Sequence, residues 1–461
     1  MSGTETRRKF QSVNPATGEV FASFLGLTDA ELDQKLETAQ QTFHVWRKWP
    51  IAERAKVLVR LGDLLESGAH DLATVMTGEM GKTFAQARGE VLKSAMTCRY
   101  YAEHAAGFLA DEPFAMPNGK AWIRYLPLGP VLAVMPWNFP IWQVVRFLAP
   151  ALAAGNDGLL KHASSVPQCA IALERLVLDA GAPEGVFQNL FIESRLVERV
   201  ILDRRVVAVT LTGSESAGIS VATAAGKALK PAVLELGGSD PFIVMPSADI
   251  EYAARMAVTA RMTNNGQSCV CAKRFIAHES IYERFQELFL AGVAALKVGD
   301  PMDAATDVGP VSSATARADL HKQVEDAIAS GAKLLAGGAI PAGPGFYYPP
   351  TVLAEIPEGA PVRQEEFFGP VAMLFRARDI TDAIKIANDI PFGLGSALWS
   401  NDEAEIEEFL RDTEAGCSAV NTLVASDPRV PFGGIKKSGY GRELSTHGMR
   451  EFMNVKTVLR G

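Results

Sequence analysis

The stretch VLAVMPWNFPIWQVVRFLAPALAAGNDGLLKHASS, residues 131–165, decides the fold. Residues 131–135 form a short apolar run, too brief for a helix and closed by Pro136. A turn-prone segment, PWNFP, leads into an apolar helical block over 140–154. A second short apolar run follows over 159–162. The same alternation continues outward: a helix over 167–180, a strand over 206–210, a helix over 214–228 and a strand over 232–235. Repeated strand–loop–helix units with apolar strands predict a parallel sheet covered on both faces, a Rossmann-type α/β arrangement.

On the amino-terminal side, residues 28–43 open with a Thr28/Glu31 capping box and continue with helical spacing. Residues 51–76 and 84–110 also read as helices, and 122–126 as a strand outside the helical blocks. Beyond residue 235 a second α/β pattern begins, with helices over 248–264 and 281–294 and strands over 275–277, 371–375 and 396–399. The Gly- and Pro-rich segment 335–349 reads as a surface crossing. Residues 451–461 read as a strand packing across a domain or subunit.

A chain of 461 residues is too long for one ordinary core and predicts two or three domains. Its net charge of −8 argues against a general nucleic-acid binder. The opening MSGTETRRKF lacks an apolar signal core, and no run approaches a membrane span. Five cysteines in a chain of this length form no disulfide scaffold, so a cytoplasmic enzyme is the simplest expectation.

Three residues offer chemistry on a carbonyl. Cys269 follows Gly266-Gln267-Ser268, Glu235 ends a strand before Gly237-Gly238, and Asn138 lies in the turn after the strand at 131–135. Together they supply a thiol nucleophile, a carboxylate base and an amide donor for an oxyanion. Each has a plainer reading: a buried small hydrophobe for Cys269, a surface carboxylate for Glu235, a turn or helix cap for Asn138. Cys269 and Cys271 lack the second closely spaced pair that structural zinc requires, so no metal is expected. Gly213 and Ser214 sit in TGSESAG, a strand-to-helix turn suited to a pyrophosphate and equally to a tight β–α turn. Lys161 ends another strand, where doubly wound sheets bind ligands.

The chain resembles the NAD(P)-dependent aldehyde dehydrogenase superfamily along almost its whole length. The motifs are NPATGE at 14–19, PWNFP at 136–140, LAAGN at 152–156, TGSxxxG at 212–218 and LELGG at 234–238. GQSC at 266–269, EEFFGPV at 365–371, PFGLG at 391–395 and PFGGIKKSGYGRE at 431–443 complete the series. The resemblance implies Cys269 as nucleophile, Glu235 as general base and Asn138 as oxyanion donor. It assigns Trp137, Lys161, Ser164, Gly213, Ser214, Glu366 and Phe368 to an NADP or NAD cofactor. Ser164 stands where NAD-preferring members often carry glutamate, so NADP should be tolerated. The resemblance further implies a cofactor domain over 1–110 and 128–236, a catalytic domain over 237–437, and a bridging β-element over 111–127 and 438–461 that builds a homodimer or homotetramer.

Within the superfamily the chain is most similar to a bacterial branch that oxidises succinate semialdehyde. That likeness rests on Arg146, on the thiol pair Cys269 and Cys271, and on VASDPRVPFGG at 424–434 with Ser426. Arg146 and Ser426 are thereby expected to hold a substrate carboxylate, and Cys271 to form a redox pair with Cys269. Thr263 replaces the second carboxylate arginine of mitochondrial-type members, with Arg261 or Arg429 as compensating candidates. The alternatives are a broad-specificity or glutarate-semialdehyde dehydrogenase, or a silent structural protein on the same fold.

Overall fold

A computed structural model describes residues 7–461; residues 1–6, which open both the predicted cofactor domain and the stretch read for a signal core, lie outside the described residues. Two sheets organise the chain. The first has six strands in the order Gly439–Tyr440, Ala232–Glu235, Ala208–Thr212, Pro130–Met135, Asp157–His162, Phe187–Asn189. All neighbours are parallel except the Gly439–Tyr440 edge, which is antiparallel. Every residue of Pro130–Met135 except half-exposed Val134, and all of Asp157–His162, are buried. That burial on both faces explains why these strands read as continuous apolar runs.

On one face pack Leu32, Leu36 and Ala39 of the helix Asp29–Trp46, together with Val221 and Ala224 of the helix Glu215–Lys227. Thr28 caps the former with the capping box read from the sequence. On the other face lie the helices Ile51–Ser67, Ala69–Met80, Phe84–Phe108, Trp142–Ala154 and Pro167–Asp179. The helix expected over 51–76 is broken at Gly68, which serves as C-cap of one helix and N-cap of the next.

The second sheet has seven strands: Lys333–Ala336, Thr351–Ala354, Val371–Ala377, Ala272–His278, Asp240–Val244, Gly395–Trp399, Cys417–Val420. It is parallel apart from the first pair. A separate three-stranded antiparallel sheet joins Glu112–Ala115, Lys120–Pro127 and Met453–Arg460. The expected bridging segment 438–461 therefore divides. Gly439–Tyr440 completes the edge of the first sheet beside Glu235, and only Met453–Arg460 joins residues 112–127. Backbone pairing with the short strand Ala232–Glu235 draws 439–440 inward, because that strand would otherwise leave its edge unpaired.

Candidate active site

Four of the expected residues sit at the carboxyl ends of parallel strands in the first sheet. Asn138 follows Pro130–Met135, Lys161 lies in Asp157–His162, Gly213 follows Ala208–Thr212, and Glu235 ends Ala232–Glu235. Such ends are where open α/β sheets bind ligands. Cys269 comes from the second body, in the loop between the helix Ile250–Met262 and the strand Ala272–His278.

The approach to Cys269 is an unusual backbone path. Asn264, Asn265 and Gly266 have φ of 57°, 56° and 74°, three left-handed residues in succession. Asparagine tolerates that region through local hydrogen bonding. Gly266 is required sterically: a Cβ there would lie 2.5 Å from the backbone of Gly369. The asparagine side chains hold the turn. Asn265 Nδ2 donates to Gly81 O (2.8 Å) and Pro310 O (3.0 Å), while its Oδ1 accepts from Gly309 N (2.9 Å). Asn264 Nδ2 donates to the backbone oxygens of Asn138 and Gln267, each at 2.9 Å. Asn138 Nδ2 in turn donates to Gln267 O at 3.0 Å. The expected oxyanion donor is thus tied to the loop that carries the expected nucleophile.

Behind the thiol sits Lys273, with a fully buried side chain. Its Nζ donates to Ser268 O (2.8 Å) and Cys269 O (2.7 Å) and pairs with Glu366 Oε1 at 3.0 Å. Cys269 itself is half-buried. Burial pushes its thiol up to about 12, while Lys273 and Arg146 pull it down. Glu366 lies against Gly237, where a Cβ would come within 2.4 Å of its carboxylate. Close approach to Glu366 is one reason for the glycine pair after Glu235.

Glu235 is 1% exposed, and neither carboxylate oxygen has a hydrogen-bond partner among the described residues. Burial raises its proton affinity well above the usual carboxylate range; Arg146 opposes this and Glu443 reinforces it. An unpartnered buried carboxylate is costly and marks a functional site more often than a structural one.

The cofactor candidates also converge. Ser214 caps the helix Glu215–Lys227, its Oγ accepting from Ala217 N, and a Cβ on Gly213 would meet nothing closer than 3.6 Å. Gly218 lets the helix close on Leu236, which a Cβ would approach to 2.6 Å. Trp137 and Phe368 meet edge to face with ring centroids 5.7 Å apart. Lys161 is buried and forms no ion pair among the described residues; burial and nearby Arg8 lower its pKa. Ser164, just beyond it, is exposed. A buried free cation, a capped helix start and an uncrowded glycine turn fit a phosphate-bearing dinucleotide.

Residues 2–458 match the family described as Aldehyde dehydrogenase family. The chain belongs to the aldehyde dehydrogenase family. It is 53% identical over 450 residues to succinate-semialdehyde dehydrogenase [NADP(+)] 1 of Mycobacterium tuberculosis, covering 97% of this chain and 98% of that protein. It is 53% identical over 454 residues to succinate-semialdehyde dehydrogenase [NADP(+)] of Mycobacterium avium, covering 98% and 96%. Among solved structures, succinic semialdehyde dehydrogenase from Streptococcus pyogenes in complex with NADP+ superimposes with a TM-score of 0.96 at 40% identity, covering 98% of this chain and 99% of that one.

For an aldehyde dehydrogenase of this branch, the substrate arginines need correction. Arg146 does not present a free guanidinium: it is 2% exposed, ion-paired with Glu443, donates to Thr212 Oγ1 at 3.1 Å and lies 5.0 Å from the Phe432 ring centroid. Its carboxylate partner is internal. Arg261 is fully buried and spends its donors on Ala272 O (2.9 Å), Gly266 O (2.7 Å), Phe367 O (3.2 Å) and Gly369 O. It shapes the nucleophile loop rather than meeting substrate. Arg429 points outward, 74% exposed, and forks onto Asp427 at 2.8 and 2.7 Å. Ser426 is half-buried and accepts a hydrogen bond from Lys93 Nζ at 2.9 Å. Cys271 donates its thiol to Thr263 O at 3.2 Å.

Three residues in contact with the expected site residues carried no expectation from the sequence. Lys273 had a signal, a lysine inside the apolar strand AKRFIAH. Glu443 stood inside the last motif quoted, yet nothing local tied it to Arg146. Lys93, within a long helix, meets Ser426 only through the fold.

Proposed function

We propose that this aldehyde dehydrogenase oxidises succinate semialdehyde to succinate with NADP+, through a thioester on Cys269. The net reaction is R–CHO + NADP+ + H2O → R–COO− + NADPH + 2H+. The observation that carries the reading is the meeting of Cys269, Asn138 and unpartnered Glu235 from two sheets. The names of the relatives supply the substrate and the cofactor.

Cys269 Sγ attacks the aldehyde carbon, and the developing alkoxide is held by the Asn138 amide and the Cys269 backbone N–H. The thiol proton needs an acceptor. Water takes it, and the charges of Lys273 and Arg146 stabilise the thiolate that remains. The cofactor, when bound, accepts the hydride. Lys161, exposed Ser164, Gly213 and Ser214 would hold its adenosine and phosphate part, with Trp137, Phe368 and Glu366 toward the nicotinamide. Glu235 then takes a proton from water, whose oxygen adds to the thioester carbon; Cys269 leaves as thiolate. A raised proton affinity makes Glu235 a stronger base than a free carboxylate.

We read the exposed three-stranded sheet as the surface that builds a homodimer or homotetramer. A disulfide between Cys269 and Cys271 would require Cys271 to leave Thr263 O. Steady-state assays of succinate semialdehyde, glutarate semialdehyde, butanal and benzaldehyde, each with NADP+ and NAD+, test the function. The highest kcat/KM is expected for succinate semialdehyde with NADP+. A neutral aldehyde ranking first would favour broad specificity, and no turnover of any would favour a silent protein.

A further inference from the structure

Two cations stand side by side in the strand Ala272–His278, and neither side chain reaches solvent. Burying a cation is costly unless its donors are taken up. Arg274 spends its donors on the backbone oxygens of Ile386 and Ala387, which ties the strand to the end of the helix Ile380–Asn388. Lys273 turns instead to the nucleophile loop. Its Nζ donates to Ser268 O at 2.8 Å and to Cys269 O at 2.7 Å, the carbonyls on either side of the Cys269 Cα. Residues 267–271 belong to no helix or strand. Ser268 O accepts one other backbone hydrogen bond, from Cys271 N at 3.2 Å, longer than the one from Lys273.

Ser268 O and the Cys269 N–H are the two ends of one planar peptide unit. A donor fixed on the oxygen fixes where the N–H points, and a cation on the oxygen polarises the unit so that the N–H donates more strongly. That N–H is the second oxyanion donor of the proposed function. Glu366 holds the other side of Nζ, with Oε1 at 3.0 Å. This contact is one of charge: Oε1 accepts no aligned hydrogen bond among the described residues and keeps its lone pairs for another donor.

The charges that reach the thiol come from four elements: Lys273 on the strand that follows, Arg146 on the helix Trp142–Ala154, Glu366 ahead of Val371–Ala377, and Glu235 at a strand end. Arg146 is paired with Glu443, whereas Lys273 meets Glu366 alone. Buried Asp240, at the head of Asp240–Val244, also feels Lys273; burial raises its carboxyl to about 7 and Lys273 draws it down.

We infer that Lys273 is a positioning residue, held between the nucleophile loop and Glu366, that aims the Cys269 N–H at the oxyanion and divides its charge between the Cys269 thiolate and Glu366. Removing Lys273 and removing the charge of Glu366 then act on the thiol in opposite directions. The inference deepens the proposed function and rests on its choice of nucleophile.

The test measures alkylation of Cys269 by iodoacetamide, without cofactor and at mildly alkaline pH, in wild type, Lys273→Met, Lys273→Arg and Glu366→Gln. Peptide mass mapping locates the label, and thermal melts confirm folding. An adjacent charge moves a proton affinity by about one unit or more, and the weaker nucleophilicity of a more acidic thiolate offsets part of the change in rate. The rate should fall roughly three- to tenfold in Lys273→Met, rise by a similar factor in Glu366→Gln, and lie between Lys273→Met and wild type in Lys273→Arg. Alkylation makes no oxyanion, so the NADPH burst with succinate semialdehyde should fall about tenfold further than alkylation does in Lys273→Met. Should Lys273→Met fail to fold, the rise in Glu366→Gln carries the test. Label on Cys269 with both variants shifted the same way, with no shift, or with a burst that falls only as far as alkylation, overturns the role of Lys273 and leaves the function standing. An active wild type whose Cys269 takes no label overturns both.

Discussion

Arg146 is buried against a carboxylate of its own chain. Its guanidinium lies among Glu443, Thr212 and Phe432, and its charge acts on Glu235, Cys269 and Lys93. Removing one partner of a buried pair leaves the other charge uncompensated, a loss of about 3–5 kcal/mol. Arg146→Met is therefore expected to lower kcat/KM for succinate semialdehyde and butanal by similar factors, with reduced thermal stability. Kinetics on the two substrates check this; a loss confined to succinate semialdehyde would return Arg146 to the substrate. Sequence reading singled out Cys269, Glu235 and Asn138 because each lies in a contiguous motif at a strand end or loop. It could not tell the arginines apart: whether a guanidinium is free depends on partners such as Glu443 and Asp427, and the sequence does not say which carboxylates fold against which cation.

At the scale of elements, the helix Trp142–Ala154 depends on another helix for its start. It has no side-chain cap of its own; Glu90 of Phe84–Phe108 accepts its first amides at Ile141 and Trp142. Glu90 is in turn paired with fully buried Lys82, whose Nζ lies 4.0 Å from the Phe139 ring centroid. Asn138 is thus fixed from both sides, by this cap and by the Asn264 turn. Lys82→Met should cost about 3–5 kcal/mol of stability. Breaking the exposed pair Arg411–Asp412 with Arg411→Ala should cost ~0–1 kcal/mol. Thermal melts of the two variants side by side decide the matter, and equal shifts would contradict the assignment. This support was illegible beforehand. The capping box at Thr28 is local in sequence, whereas a cap supplied by Glu90 across the chain leaves no local mark. The strand Asp240–Val244 also escaped notice, since five residues so close to a glycine pair carry too little period to read.

At the scale of the molecule, the proposed catalytic groups are split between two sheets, so their spacing depends on how the two bodies pack. The three-stranded sheet lies apart from both and exposes Phe114 (52%), Val455 (56%) and Leu459 (69%). Exposed apolar groups on an edge-bearing sheet suit association with a second copy. Light scattering should find wild type as a dimer or tetramer and Val455→Asp/Leu459→Asp shifted to monomer; an unshifted mass would place the interface elsewhere.

In the proposed mechanism Cys269 carries the acyl group and Glu235 releases it. Rapid mixing of Glu235→Gln with succinate semialdehyde and NADP+, followed by acid quench and peptide mass mapping, tests both at once. The expected result is a burst of NADPH equal to the active sites, then a stall, with a succinyl group on Cys269. Steady turnover without a stall, or the acyl group on Cys271 or any other residue, would contradict it.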